Sequence, residues 1–220
     1  MPNDVATGDA DDEGAVGPDL RLAELVAARL CHDLVNPVGA IGNGIELMRE
    51  IGAGDGEDLD LIASSTARTA ALLGLHRLAF GPQPPDAAPL PRARLAERLE
   101  PLFAGGRAAW RIEEPDGPAL PAPVARLAAL MGLAGRALAG RTGEVVLSLP
   151  PDGGLPIALA VSGSGIAWPP EREALVLGQG TARSSRQIEF AMLPRAARAA
   201  GAVLRPTAGP DRVGLEATAA

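Results

Sequence analysis

Residues 81–91, GPQPPDAAPLP, place five prolines in eleven positions. Proline lacks the amide proton and clashes with the preceding helical turn, so no helix continues through this stretch. The chain is thereby divided. Residues 19–80 before the break have helical periodicity, and everything after it alternates between helical and extended patterns.

Before the break, Leu20, Ala23, Ala27, Leu30, Leu34, Val38, Ile41, Ile45 and Met48 recur at spacings of three and four, which predicts one buried stripe on one helix. GAGDG at 52–56 ends it, because glycines adopt the conformations that leave a helix. A second helix follows with Leu59, Ile62, Thr66, Thr69, Leu73, His76 and Phe80 at the same spacing, and Leu61, Leu72 and Leu75 add a second apolar edge. Two helices with faces this wide cannot hide them against each other alone. A homodimer, pairing two hairpins into a four-helix bundle, would bury them.

After the break, RARLAERLEPLF reads as a helix, AAWRIE as extended, and APVARLAALMGLAGRALAG as a helix. GEVVLSL and PIALAVSG read as neighbouring strands. SRQIEFAMLPRAARAA reads as a helix broken near Pro194, followed by strands AVLRP and RVGLEATA. This order predicts an α/β sandwich with helices on one face of the sheet. The expected organisation is a disordered tail at 1–18, a helical hairpin at 19–80, a linker at 81–91 and an α/β domain at 92–220.

Composition bounds the setting. Apolar residues make up 47% of the chain and aromatics 2%, so the core is one of Leu, Ala and Val. Six acids and no base fall within residues 1–19, and removing them from the net charge of −7 leaves −1 for the rest. Such an acidic start reads as solvated and disordered. It also lacks the pattern of a secretory leader. The remainder has no basic patch interleaved with aromatics, which argues against nucleic-acid binding. Arg126 and Arg136 interrupt the longest apolar stretch, so no membrane span is expected. A single cysteine suits a reducing compartment, and the chain is expected to be cytoplasmic.

The first helix has an odd centre, ARLCHDLVNPVGAIGNGIELM at 28–48, which holds one of two histidines in the chain. At 100° per residue, His32 lies about 160° from the Leu30 and Leu34 stripe and should face outward. Ala28, Asn36, Gly39, Asn43 and Glu46 share its direction, a strip of small and polar residues on which another protein's backbone could come close. Pro37 favours a bend one turn after His32. His76, in contrast, falls on the apolar stripe of the second helix and reads as a core or boundary histidine. Cys31, His32 and Asp33 are too few and too badly spaced for a metal site.

HDLVNP at 32–37 resembles the phosphoacceptor box of sensor histidine kinases, in which a helical histidine is followed by an acid and, four residues on, a proline. The longer string and the domain order resemble the ChpT-type histidine phosphotransferases of bacterial phosphorelays. The resemblance implies a dimeric four-helix bundle followed by an α/β sandwich like a degenerate histidine-kinase ATPase domain. It implies that His32 accepts a phosphoryl group from a receiver aspartate, with Asp33 assisting. The donor would be the receiver domain of a hybrid histidine kinase and the acceptors response-regulator receivers. Arg29, Asn36, Gly39, Asn43 and Glu46 are the expected partner-binding residues. A free imidazole titrates near about 6.5, so a neutral, nucleophilic fraction exists near pH 7.

An active ATP-binding module of this kind needs an Asn on its long helix and an Asp before a Gly-x-Gly pair. The helix at 122–140 has no Asn, Asp or Glu, and Val161 stands where the adenine-reading Asp is expected before SGSG. A valine cannot accept the hydrogen bond of an adenine amine. The chain is therefore expected to use no ATP and no metal of its own, with Mg²⁺ supplied on the partner receiver. Two other readings stay open: an inert dimeric adaptor for receiver domains, and an ATP-dependent sensor kinase, which the missing Asn and Asp disfavour.

Overall fold

The computed structural model describes residues 18–51, 56–104 and 106–220. The expected acidic tail, but for its last residue, and most of the glycine turn lie outside them. Two long helices, α1 (Pro18–Ile51) and α2 (Gly56–Phe80), form the hairpin. Residues 81–90 follow without helix, and Leu90 bridges to Leu120. The second part contains α3 (Arg92–Phe103), β1 (Ala109–Glu113), α4 (Ala122–Ala139), β2 (Glu144–Ser148), β3 (Ile157–Ser162), α5 (Pro170–Val176), α6 (Ile188–Ala199), β4 (Ala202–Gly209) and β5 (Arg212–Ala219). A short 3₁₀ turn, Ser185–Gln187, leads into α6.

The prolines serve as helix starts as well as breaks. Pro91, Pro121 and Pro169 stand at the N-caps of α3, α4 and α5. Their fixed φ suits a helix entry, where a missing amide proton breaks no internal bond.

The sheet runs β1-β2-β3-β5-β4, with β1 parallel to β2 and the other pairs antiparallel. Side chains of β3 alternate between buried and half-buried, as a strand covered on one face requires. α4 lies against β2 and β3, and α6 lies beside α4 against β4. The close approach of α4 depends on two glycines. A Cβ on Gly132 would meet Leu99 at 2.6 Å, and one on Gly135 would meet Leu159 and Val145 at 2.8 Å. α4 has the length and composition of a membrane span, yet 67% of that stretch is buried inside the domain, as for a core helix.

α6 departs from expectation, because it runs unbroken through Pro194. Burial of Phe190, Leu193, Ala196 and Ala197 against the core holds the helix across the one lost hydrogen bond. α1, where a bend and not a break is expected, also continues through Pro37. The inward face of α2 is Ser65, Leu72, Leu75, His76 and Ala79, while Leu59, Leu61 and Leu73 are exposed. On α1, Leu20, Val38 and Ile45 of the expected buried stripe are exposed on the single chain.

The hairpin is docked onto the α/β part. Leu75 and Ala79 of α2 belong to the main core, and Leu25 of α1 packs with Ala182 and Ile188. Arg126 of α4 bonds the carbonyls of Leu78 and Gly81 at the end of α2. This docking brings α1 against the first turn of α6.

Candidate functional site

His32 projects from α1 with 64% of its side chain exposed. Its neighbour Asp33 is 14% exposed and turns inward, toward α2. Arg29 lies one turn earlier on the same face, and its Nε donates to Asp33 Oδ2 at 2.9 Å, the pairing that an i, i+4 spacing allows. His32 Nδ1 lies 3.0 Å from Asp33 Oδ1. From α2, His76 Nε2 lies 3.2 Å from Asp33 Oδ2, an ion-pair distance without hydrogen-bond alignment. His76 is buried and stacks on Phe80, with ring centroids 5.7 Å apart.

Burial opposes ionisation of Asp33, but the contacts from His76 and His32 and the charge of Arg29 outweigh it and hold its pKa down at about 2. Asp33 is thus a carboxylate near neutral pH and can only accept. The Nδ1 of His32 must therefore carry the proton of the pair. In the neutral imidazole this leaves the lone pair on Nε2. The arrangement presents an oriented nitrogen nucleophile on an exposed helix face.

Beyond Arg29 stands Glu189, in the first turn of α6. Its Oε1 lies 3.9 Å from Arg29, and among the described residues neither carboxylate oxygen has a hydrogen-bond partner. Burial pushes its pKa up to about 7, against the opposing pull of Arg29 and Arg172. A cleft of about 660 Å³ opens beside these groups, between the hairpin and the α/β part. Arg29, His32, Asp33 and Asn36 line it together with residues of α2, α3, α4 and α5. Gly39, Asn43 and Glu46 lie outside this cleft, exposed farther along α1. Among the described residues, no three His, Cys, Asp or Glu side chains are grouped to hold a metal ion.

Sequence reasoning missed His76 as a partner of Asp33, because its place on an apolar stripe gave no sign of the carboxylate it meets. Glu189 and the cleft arginines other than Arg29 were missed too, since the packing of α1 against α6 and the placement of the cleft are tertiary facts.

Val161 is fully buried in β3, paired with Val145 on one side and Val213 on the other. The following SGSG forms a turn whose Gly163 and Gly165 amides donate to the backbone oxygen and side chain of Asp211. The residues present do not fit an adenine site at this position.

Three comparisons bear on this geometry. A solved structure of a bacterial phosphotransferase superposes with a TM-score of 0.69 at 24% identity, covering 92% of this chain and 98% of that one, and so shares its fold. The protein phosphotransferase ChpT of Brucella abortus (strain 2308) is 48% identical over 62 residues, a stretch of 28% of this chain and 29% of that protein's length. The family model described as the histidine phosphotransferase C-terminal domain matches residues 92–212, more than half of the chain. With a helical hairpin in front of this domain, the chain belongs to the family of ChpT-type histidine phosphotransferases.

Proposed function

We propose that His32 is the phosphoacceptor, taking a phosphoryl group from the aspartyl phosphate of a receiver domain and passing it to response-regulator receivers. The observation that carries this reading is the exposed imidazole whose Nδ1 is held by Asp33, leaving Nε2 free. In the forward step Nε2 attacks phosphorus, the N–P bond forms, and the receiver's carboxylate departs with the electron pair of the broken O–P bond. The imidazolium that results keeps its Nδ1 proton facing the Asp33 carboxylate, which stabilises the new positive charge. Transfer to the acceptor aspartate reverses these events. Such transfer depends mainly on alignment and charge stabilisation, and the receiver is expected to bring the Mg²⁺.

The donor in this proposal is the receiver domain of a hybrid histidine kinase. ATP has no part in it, which the buried Val161 and the Asp211-tied glycine turn support. The receiver would dock along Asn36, Gly39, Asn43 and Glu46, all exposed on the His32 side of α1. A second copy of the chain would cover Leu20, Val38, Ile45, Leu59 and Leu73, which are among the exposed apolar residues of the hairpin, as a four-helix bundle.

The direct test is incubation with separately phosphorylated receivers, following label onto and off this protein. Acid-labile label on His32 that moves on to a second receiver is the expected result. Receiver binding without any label would make the chain an adaptor instead.

A further inference from the structure

Five arginines line the cleft beside His32, namely Arg29, Arg68, Arg136, Arg172 and Arg186, against one carboxylate, that of Asp33. Arg29 is already matched to Asp33. The other four have no carboxylate within 4.0 Å among the described residues. Glu189 feels the charge of Arg172 without touching it.

Three of these guanidinium groups are held by backbone carbonyls. Arg68 donates to Ala104, Arg136 to Leu102 and Gly140, and Arg172 to Ala137, with the Arg172 guanidinium 5.1 Å from the ring centroid of Phe190. A guanidinium has five N–H donors, so each keeps others for a ligand. Gathering like charges at a half-buried cleft is unfavourable unless an anion joins them. Fixed guanidinium groups suit a tetrahedral dianion particularly well, through charge-assisted bonds.

We infer that this cluster is a phosphoryl-anion site: Arg68, Arg136, Arg172 and Arg186 take up the dianionic phosphoryl group that His32 carries after transfer and shield it from hydrolysis. The inference rests on the acceptor role of His32. The same chemistry would also bind free orthophosphate or a phosphate ester, and the two sources are separable.

The test uses the full chain and two variants, Arg186→Gln and the double variant Arg68→Gln/Arg186→Gln. Arg186 is exposed and has no hydrogen bond or ion pair among the described residues, so its loss should leave folding intact. Label is placed on His32 with phosphoramidate, a small chemical donor, and the lifetime of phosphohistidine is followed at neutral pH. In parallel, orthophosphate is titrated calorimetrically into unlabelled protein. The expected result is a lifetime shortened at least about three-fold in the double variant, with unchanged melting temperature, as lost charge-assisted bonds dictate. An unchanged lifetime in the double variant overturns the inference. If orthophosphate binding alone is lost, the site belongs to a free anion and retention of the phosphoryl group is wrong. If the variants weaken only the association with an unphosphorylated receiver, the arginines dock a protein and the inference falls. If the parent takes no label on His32 at all, the acceptor reading fails, and orthophosphate binding lost in the variant still upholds the anion site while its absence in the parent removes it.

Discussion

Asp33 of α1 and His76 of α2 meet at 3.2 Å, so the carboxylate beside the exposed histidine also links the two helices of the hairpin. His76 is 1% exposed at its side chain, and its ring fills space next to Phe80. His76→Ala should lower stability by about 2–3 kcal/mol, as truncation of a buried side chain does. It should also slow label uptake by His32 several-fold without abolishing it, since Asp33 would lose one of the groups that hold it. Thermal melting and initial rates of transfer would check both effects; normal melting and normal rates together would show the contact to be idle.

The contacts that hold Asp33 ionised make stability depend on pH. Its carboxyl falls from the ordinary 3.8 to about 2 in the folded chain. The unfolded chain therefore binds the proton more readily, and the stabilisation is complete above pH 3.8 and lost as pH falls through about 2. The shift bounds the contribution at about 2 kcal/mol, and solvent screening at this partly open site brings it nearer about 1 kcal/mol. Asp33→Asn should melt a few degrees below the parent at pH 7 and close to it near pH 2. A gap that stays constant across that range would mean that the ion contacts contribute nothing.

Glu189 has the opposite sign. Burial raises its pKa from 4.5 to about 7, so folding disfavours its ionised form. The resulting penalty is absent below pH 4.5 and grows as pH rises toward 7. Glu189→Gln keeps the shape without the charge and should raise the melting temperature by a few degrees at pH 8, and by much less at pH 4.5. A lower melting temperature at pH 8 would show that the distant Arg29 charge outweighs desolvation.

Much of this fold is legible in the chain because local signals agree. α3 starts behind Pro91 and ends at Phe103, and β5 spans Arg212–Ala219, both as the apolar pattern indicates. α5 escapes such reading because its seven residues, the first of them a proline behind Pro169, carry too little periodicity. Pro194 misleads, since a proline breaks an exposed helix more readily than one packed on both flanks. At the site, the outward direction of His32 follows from helix register alone. The neighbours that set its chemistry do not. His76 and Glu189 reach Asp33 and Arg29 through the crossing of α1 with α2 and α6, and the five cleft arginines come from five separate segments.

The docking strip on α1 is testable without disturbing the hairpin. A Cβ at Gly39 would meet nothing within 4 Å among the described residues, and Asn43 is exposed. Gly39→Leu should even favour the helix by up to about 1 kcal/mol, because glycine is a poor helix residue. Both Gly39→Leu and Asn43→Arg should reduce transfer from a phosphorylated receiver by about ten-fold or more if bulk there prevents close approach, a loss of about 1.4 kcal/mol. Wild-type transfer in both variants would place the receiver elsewhere on the molecule.

The last expectation concerns His32 itself. The side chain is largely exposed, and among the described residues it hydrogen-bonds only to the adjacent Asp33. Removing it should therefore cost little stability, within about 0.5 kcal/mol for an exposed position. His32→Gln preserves a polar side chain but has no nucleophilic ring nitrogen, so it cannot form the phosphoramidate bond. His32→Ala removes the group outright while favouring helix. Both variants should melt near the parent temperature and take no label from a phosphorylated receiver. His76→Ala in the same assay should still be labelled, at the reduced rate argued above. Label that survives both His32 variants and disappears only with His76→Ala would identify the buried histidine as the acceptor. That result would require the hairpin to open around Asp33 during transfer, a motion that hydrogen exchange at α1 and α2 would reveal.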